Sequence, residues 1–237
     1  MVNLRYKIKS KDVNFFHKNG YILVRNIFDR KNILLVKKSI NSALLKIFNK
    51  KYPKLKKINF HKKLIILRKK KPKSFSILFD TLQTSSSLYN LINEKLILTV
   101  SKLLKQKKHN VTMTDIGIRL DPPNDNRNTL AWHQDSSYYR QNNSGKNGLV
   151  VWSPVIKLEK NMGPLEFIKD SYKIGTLNVK KKKSKKKFGS SKREIKSENL
   201  KKFKKILTSN VNVGDALIIN LDMVHRSGIN SSQKVRV

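Results

Sequence analysis

Apolar residues in the first third of the chain recur with a helical period. Steps of three and four residues after Asp29 predict a long amphipathic helix. A shorter helix is predicted from an N-cap at Ser10 to a stop at Gly20, and a third from about Ser87 to Gln106. Residues 1–110 are therefore predicted to be mainly helical. The apolar residues that recur at roughly helical spacing in the long helix are Ile33, Leu34, Val36, Ile40, Leu44 and Ile47.

Strand patterns dominate the rest of the chain. Runs rich in β-branched and aromatic residues, bounded by turn-forming residues, predict strands; they cover residues 21–27, 111–120, 148–158, 163–168 and 211–221. Helices followed by strands favour an α+β protein, with a sheet that closes on itself or doubles as a jelly roll. We predict a double-stranded β-helix (a cupin-like jelly roll) over residues 111–237, with the N-terminal helices packed on it. The 237 residues suffice for one domain with a sizeable core.

The charge of the chain allows two interpretations. Lys and Arg total 53 against 15 Asp and Glu, which gives a formal net charge of +38. Clustered cations would favour a nucleic acid or an anionic surface as partner. The Lys residues instead recur along the whole chain, and no aromatic-interleaved RNA-binding motif is present. We therefore expect solvated lysine-rich faces and no nucleic-acid partner. The densest run, residues 179–193, is predicted to be a mobile surface insertion because its like charges repel.

Composition also excludes several classes of site. The chain has no Cys, which excludes disulfides, thiolate metal sites and Cys nucleophiles. Its first residues lack the apolar core of a signal peptide. No apolar run approaches the roughly 20 residues that a membrane-spanning helix needs. We expect a soluble cytoplasmic protein; nothing in the sequence indicates its oligomeric state.

The chemistry-bearing residues are two histidines and an aspartate. His133 and Asp135 are separated by one residue and follow a predicted strand and turn, and His225 follows a later strand. Two imidazoles and one carboxylate can occupy one face of an octahedral ferrous ion and leave three positions open. A single His-x-Asp is common in loops, and His225 alone would be an ordinary core histidine. The surrounding segments decide between these interpretations.

Five segments together resemble one known family. They are residues 16–26, the Trp-His-Gln-Asp-Ser-Ser-Tyr-Tyr run at 132–139, residues 151–154, Asn-Met-Gly-Pro-Leu at 161–165, and the closing motif from Gly214-Asp215 through residues 225–236. In these segments the chain resembles the phytanoyl-CoA dioxygenase family of Fe(II)- and 2-oxoglutarate-dependent oxygenases. The resemblance covers nearly the whole chain.

The resemblance implies roles for six residues. Iron would be bound by His133, Asp135 and His225. An arginine 11 positions after the last histidine would hold the distal carboxylate of 2-oxoglutarate with two parallel hydrogen bonds. A hydroxyl would add a bond to that carboxylate, and an indole would form a wall of the cosubstrate pocket. These three cosubstrate residues are Arg236, Ser227 and Trp152. A turn-forming role for Ser227 and a simple core role for Trp152 stay open.

The implied reaction is hydroxylation of an unidentified small molecule or acyl substrate. Its cosubstrates would be 2-oxoglutarate and O₂, and its coproducts succinate and CO₂. Asp135 favours hydroxylation over halogenation, because related halogenases lack this carboxylate and bind chloride in its place. The alternative is an inactive family member or fragment that binds nucleic acid or other anions. The family pattern continues beyond its clamp arginine, so Arg236, next to the last residue, is predicted to be weakly anchored in a truncated chain.

Overall fold

The computed structural model describes residues 8–55, 57–125, 129–139, 148–182, 192–196, 200, 205–207 and 210–237. The N-terminal part is mainly helical, as predicted, with one strand after the first helix. Its elements are α1 (Ser10–Asn19), β1 (Tyr21–Val24), α2 (Arg30–Lys51), α3 (Phe60–Lys70), α4 (Pro72–Gln83), α5 (Ser86–Tyr89) and α6 (Glu94–Leu103). None of the helices in this described part is both long and apolar enough to cross a membrane.

The first helix begins one residue earlier than its sequence indicated. Lys9, not Ser10, is the N-cap, and its backbone N–H donates to the carboxylate of Asp12 at 2.9 Å. The stop at Gly20 is confirmed: this residue has a φ of 75°, in the left-handed region that favours glycine. A β-carbon at Gly20 would also lie 2.3 Å from the Tyr172 ring.

The long helix α2 buries one stripe of side chains. Two of the apolar residues that recur with helical spacing lie outside this stripe: Leu34 is 50% exposed, and Ile47 is only partly buried while Phe48 takes the inner position. A helix of 3.6 residues per turn cannot place both Ile33 and Leu34 at the centre of one face. The buried stripe is Ile33, Val36, Ile40, Leu44 and Phe48.

The prediction of one continuous helix over residues 87–106 is wrong. The structure has α5 and α6 in its place. Asn93 separates them, because its side chain accepts a hydrogen bond from the backbone N–H of Leu96 at 2.8 Å and so caps a new helix.

Two three-stranded antiparallel sheets follow the helices. Their strands in the second half of the chain are β2 (Leu149–Trp152), β3 (Leu165–Ile168), β6 (Lys205–Leu207), β7 (Ala216–Asn220) and β8 (His225–Ser227). The sheet orders are β1-β7-β2 and β6-β3-β8. Strand β1 pairs with β7 from Tyr21 opposite Ile219 to Val24 opposite Ala216. The first strand of the chain therefore joins the helical part to the strands that follow it.

Several predicted strands are shorter or missing. Residues 111–120 form no strand; the pairing in this region is an isolated bridge between Asp121 and Arg236. The strand predicted over 148–158 ends at Trp152, shortly before Pro154, which has no N–H to continue a ladder. The strand predicted over 211–221 begins only at Ala216, after Gly214 turns the backbone at a φ of 97°.

The ends of the lysine-rich run pair with each other. β4 (Lys180–Lys182) is antiparallel to β5 (Lys192–Glu194), with Lys180 opposite Glu194. Mobility is predicted for residues 179–193, of which residues 183–191 lie outside the described residues. The described part of this run is thus a two-stranded hairpin.

The last residues of the chain are firmly held, which corrects the prediction for Arg236. Its backbone exchanges two hydrogen bonds with Asp121, at 2.9 and 3.1 Å, and the carbonyl of Val237 accepts from Val155 at 3.0 Å. Val235 and Val237 are buried in the apolar cluster formed mainly by α2, α3 and α4. Apolar burial and backbone pairing together anchor this segment.

Candidate metal centre

The structure brings the three predicted ligands together. His133 and His225 are antiparallel backbone partners, and their rings lie 4.2 Å apart between centroids. Nε2 of His133 is 3.3 Å from Oδ1 of Asp135, and Nε2 of His225 is 3.8 Å from the same oxygen. The three ligand atoms all lie within 4.8 Å of one another. Asp135 reaches this point because a 3₁₀ turn, Asp135–Tyr138, starts at it.

Each imidazole is oriented by the backbone just before it. Nδ1 of His133 lies 2.8 Å from the carbonyl oxygen of Ala131, and Nδ1 of His225 lies 2.9 Å from that of Met223. A carbonyl can only accept a hydrogen bond, so Nδ1 carries the proton in both rings. Both Nε2 lone pairs are left to face Asp135. This is the usual way in which a protein fixes the tautomer of a metal-binding histidine.

Electrostatics favour the protonation states that a cation needs. Burial, with a smaller effect of the neighbouring His133, lowers the pKa of the His225 imidazole to about 4. Burial alone would raise the pKa of the Asp135 carboxyl. Its contacts with His225 and His133 and the charge of Arg119 outweigh that effect, so this pKa lies below its ordinary value. At neutral pH the site offers a neutral His225 and an ionised Asp135.

The donor set fits ferrous iron. Two imidazole nitrogens and one carboxylate oxygen are the facial triad of non-haem Fe(II) oxygenases. The carboxylate side chain is 27% exposed while both histidines are buried, which leaves an approach to the centre from the side of Asp135.

Gln134 was not singled out from the sequence, although it lies between two of the predicted ligands. Its side chain is fully buried and points away from the centre. Its Nε2 donates to the carbonyls of Gly175, at 2.9 Å, and Asp222, at 2.6 Å, and its Oε1 accepts from the N–H of Leu177 at 2.7 Å. These bonds tie the His-x-Asp segment to the loop before β8, through Asp222, and to residues 175–177. Successive side chains of an extended segment point to opposite sides, so a residue between two predicted ligands is expected to point away from them. This alternation is the sequence signal that could have identified Gln134.

The lysine-rich hairpin is attached beside the metal centre. The backbone N–H of Arg193, in β5, donates to the Tyr138 hydroxyl at 3.1 Å, and its guanidinium lies 4.9 Å from the centre of that ring. The ring of Tyr138 meets His133 edge-on at 6.3 Å. The N–H of Ile195 also donates to the carbonyl of Trp132 at 2.8 Å. The second described end of the insertion is therefore part of the surroundings of the candidate centre, which its sequence did not indicate.

The predicted clamp residue Arg236 is buried and ion-paired. Its Nη2 and Nε lie 2.8 and 3.2 Å from Oδ2 of Asp121, and its Nη1 donates to the carbonyl of Gly228 at 3.3 Å. Arg119 contacts the same carboxylate at 3.4 Å, and its charge acts on Asp135. Asp121 thus contacts the guanidinium groups of both Arg236 and Arg119.

The other two predicted cosubstrate residues have different surroundings. Ser227 lies two residues after His225 in β8, and both are buried while the residue between them is partly exposed. The hydroxyl of Ser227 is therefore on the same face of the strand as the imidazole. Trp152 packs against the apolar cluster that contains Phe167 and Met223. This packing agrees with the core role that the sequence left open for Trp152.

Residues 16–237 match the family model for phytanoyl-CoA dioxygenase (PhyH). The chain belongs to the phytanoyl-CoA dioxygenase family. This membership confirms the predicted resemblance and the predicted enzyme class, a 2-oxoglutarate-dependent oxygenase. Iron and 2-oxoglutarate are the cofactor and cosubstrate of that class, and the cluster at His133, Asp135 and His225 could hold the metal ion.

Solved structures of low sequence identity share the fold. The 2-oxoglutarate complex of EvdO2 from Micromonospora carbonacea var. aurantiaca is 13% identical with a TM-score of 0.58, over 98% of this chain and 88% of that one. The non-heme monooxygenase ThoJ is 16% identical with a TM-score of 0.59, over 94% and 73%. The epimerase SnoN from nogalamycin biosynthesis is 11% identical with a TM-score of 0.51, over 96% and 79%. No curated protein sequence matches the chain significantly.

Proposed function

We propose that this member of the phytanoyl-CoA dioxygenase family is an Fe(II)- and 2-oxoglutarate-dependent hydroxylase, with His133, Asp135 and His225 as its metal ligands. The convergence of two Nε2 atoms on one carboxylate oxygen carries this proposal. The backbone carbonyls that hold both Nδ1–H groups support it, because they prepare the free nitrogens for a metal.

The chemistry requires iron, which when bound couples the decarboxylation of 2-oxoglutarate to succinate and CO₂ with the use of O₂ to hydroxylate the substrate. The residues of the chain orient and protect that chemistry. Asp135 supplies the negative charge that retains a ferrous ion, and the histidines supply neutral nitrogen donors. The burial of both imidazoles keeps bulk water away from that side of the site.

Arg236 and Ser227 are the proposed partners of the distal carboxylate of 2-oxoglutarate. Both side chains are buried, so water competes little with a carboxylate for the N–H groups of the guanidinium. The position of Ser227 on the same face of β8 as His225 supports its role. Trp152 is proposed as a wall of the cosubstrate pocket through the cluster that it shares with Met223.

We also infer that the two sheets are the faces of a double-stranded β-helix in a single domain spanning residues 1–237. Their antiparallel pairing, β1-β7-β2 and β6-β3-β8, places successive strands β7 and β8 in different sheets, as in a jelly roll. The bridge between His133 and His225 extends the second sheet toward the metal centre. The fold shared with EvdO2 and ThoJ supports this inference.

The substrate is proposed to be a small organic molecule or an acyl derivative. The names of the similar structures support a small-molecule substrate, since SnoN is an epimerase of nogalamycin biosynthesis. The hairpin beside Tyr138 supplies positive charge at the edge of the centre, which favours an anionic group on the substrate.

Succinate formation tests the function. Protein purified without oxygen is loaded with Fe(II), supplied with 2-oxoglutarate and O₂, and assayed for succinate with and without a panel of small anionic and acyl substrates. We expect succinate that depends on iron and is lost in His225→Ala, but is retained in His109→Ala, a matched change at an exposed histidine. Incorporation of isotopically labelled O₂ into a product identifies hydroxylation. Equal succinate formation by the wild type and His225→Ala would contradict the proposal.

The net charge of +38 favours polyanion binding as a second candidate function. It predicts binding of a DNA oligonucleotide, measured by fluorescence anisotropy, that weakens steeply as salt is raised. A variant with Gln at the lysines of residues 180–187 should then bind more weakly with a shallower salt dependence. An unchanged affinity in this variant would show that the run is not a binding element.

A further inference from the structure

We propose that Asp121 is a positioning residue that fixes the guanidinium of Arg236 so that its end-on pair of N–H groups receives the distal carboxylate of 2-oxoglutarate. The inference rests on the proposed function, since it concerns the same cosubstrate.

The hydrogen bonds of Arg236 define which donors remain. A guanidinium has five N–H groups. Asp121 takes one from Nε and one from Nη2 through a single oxygen, Oδ2, and the carbonyl of Gly228 takes one from Nη1. Within the described part of the chain, one N–H on Nη1 and one on Nη2 are left. Asp121 fills the Nε edge of the guanidinium, and Nη1 and Nη2 each keep one N–H for the two oxygens of a carboxylate.

The backbone holds the same pair in place. Asp121 and Arg236 exchange both of their backbone hydrogen bonds across an antiparallel bridge, at 2.9 and 3.1 Å. Directly opposed residues of such a bridge project their side chains to the same face. Both side chains are buried, at 6% and 8% exposure, so the ion pair is shielded from water and strongly directional.

The carboxylate of Asp121 also faces a second cation. Arg119 approaches it through Nε at 3.4 Å, and the charge of Arg119 acts on Asp135 and His225 in the metal centre. Two guanidinium groups around one carboxylate leave one net positive charge, which is the sign that an incoming dianion needs. Asp121 therefore connects the guanidinium of Arg236 with that of Arg119.

Two other roles for Asp121 make different predictions. A residue that only stabilises the fold would affect all ligands of the site alike. A residue that only neutralises Arg236 would weaken the attraction for an anion, so its removal would tighten binding of 2-oxoglutarate. Positioning requires an oxygen acceptor at this place rather than a charge. Asp121→Asn keeps such an oxygen, and Asp121→Ala removes it.

The experiment compares two ligands on protein loaded with Co(II), which replaces iron to prevent turnover. 2-Oxoglutarate and 2-oxopentanoate share the chelating end and the chain length, but only the first has a distal carboxylate. Isothermal titration calorimetry gives the dissociation constant of each. We expect Asp121→Ala to raise the dissociation constant of 2-oxoglutarate by at least about tenfold. Loss of a residue that supports the ligands of a metal site typically costs about 10- to 100-fold. Binding of 2-oxopentanoate should stay within about twofold, and Asp121→Asn should bind 2-oxoglutarate within about threefold of the wild type.

Each contrary result has a distinct meaning. Equal loss for both ligands in Asp121→Ala, or tighter binding of 2-oxoglutarate, overturns the positioning role and leaves the proposed function standing. Failure of wild-type protein to bind Co(II) or 2-oxoglutarate overturns the proposed function and this inference with it. If Asp121→Ala does not fold, Asp121→Glu replaces it. That variant keeps the charge but moves the carboxylate by one methylene. It should weaken the binding of 2-oxoglutarate but not that of 2-oxopentanoate. Unchanged binding of 2-oxoglutarate would overturn the inference.

Discussion

His133 and His225 exchange both of their backbone hydrogen bonds, with N···O distances of 3.0 and 2.9 Å. This pairing brings together two residues that are far apart in the sequence and places their rings 4.2 Å apart. Sheet-like backbone pairing therefore holds both histidines of the candidate metal centre, and Asp135 begins a 3₁₀ turn beside them. Sites built on regular backbone elements are positioned more precisely than sites built on loops.

Replacing either histidine should abolish tight metal binding. His133→Ala or His225→Ala removes one of three donors, and we expect the affinity for Co(II) to fall by more than about 100-fold, since even a lost supporting contact costs 10- to 100-fold. Titration of the metal followed by absorbance measures the affinity. His109→Ala, at an exposed histidine, is the control and should bind Co(II) as the wild type does. Retained tight binding in both single variants would place the metal elsewhere.

Gln134 should be required for the order of the metal centre. Gln134→Leu has a similar size but removes the hydrogen bonds to Gly175, Leu177 and Asp222. Because buried backbone groups would lose their partners, we expect the free energy of unfolding, measured by urea denaturation, to fall by about 3 kcal/mol. Affinity for Co(II) should fall as well, because the segment that carries His133 and Asp135 loses its anchor. Normal stability of Gln134→Leu would show that these bonds contribute little.

Asp215 should make the stability depend on pH. Its carboxylate accepts from the backbone N–H groups of Asn26 and Asn212, at 2.9 and 3.1 Å, and pairs with Arg25 at 2.6 Å. Burial alone would raise its pKa, but these bonds outweigh burial and hold the pKa of Asp215 below its ordinary value. The carboxylate thus stabilises the fold above its unfolded pKa of about 3.9, and the contribution is lost as the pH falls through the lower folded pKa.

The matching experiment compares Asp215→Asn with the wild type by urea denaturation. We expect a loss of about 2 kcal/mol at neutral pH, because hydrogen bonds to a charged acceptor are replaced by weaker ones. The difference should shrink as the pH is lowered below about 4. Asp80→Asn, at an exposed carboxylate, is the control and should change little at either pH. A difference that is independent of pH would contradict the role of the charge.

Gly228 should tolerate no side chain. A β-carbon there would lie 2.6 Å from the carbonyl oxygen of Pro164 and 2.7 Å from the carbonyl carbon of Gly163. Because both neighbours are backbone atoms, Gly228→Ala should cost about 2 kcal/mol or more and displace the carbonyl that holds Arg236. Thermal unfolding measures the loss. Gly175→Ala faces open space and should cost only about 1 kcal/mol, from its φ of 75°. Equal losses in the two variants would show that crowding is not the cause.

The sequence predicted the helices well where local signals are strong. The start of α2 after Asp29 and the stop of α1 at Gly20 follow from periodicity and from glycine chemistry. It failed at residues 111–120, whose β-branched residues indicate a strand but whose backbone forms none. Whether an extended segment becomes a strand depends on a neighbouring backbone, and no local pattern reports that neighbour.

The same division applies to the site. Residue type and order alone indicated His133, Asp135 and His225, because few residue sets suit ferrous iron and the surrounding motifs resemble one family. The position of the lysine-rich hairpin beside Tyr138 was not indicated. Charge repulsion in a sequence describes only how a run interacts with itself, not which surface its ends contact.

The sequence by itself determined the family, the enzyme class and the identity of the three candidate ligands, because these depend on which side chains the chain carries and in what order. The tertiary structure decided which partners those side chains have. It paired Arg236 with Asp121, buried Gln134 against the loop before β8 and gave each histidine a carbonyl for its Nδ1–H. Such bonds form only when distant backbone segments become neighbours, and burial of apolar surface across the whole chain selects that arrangement.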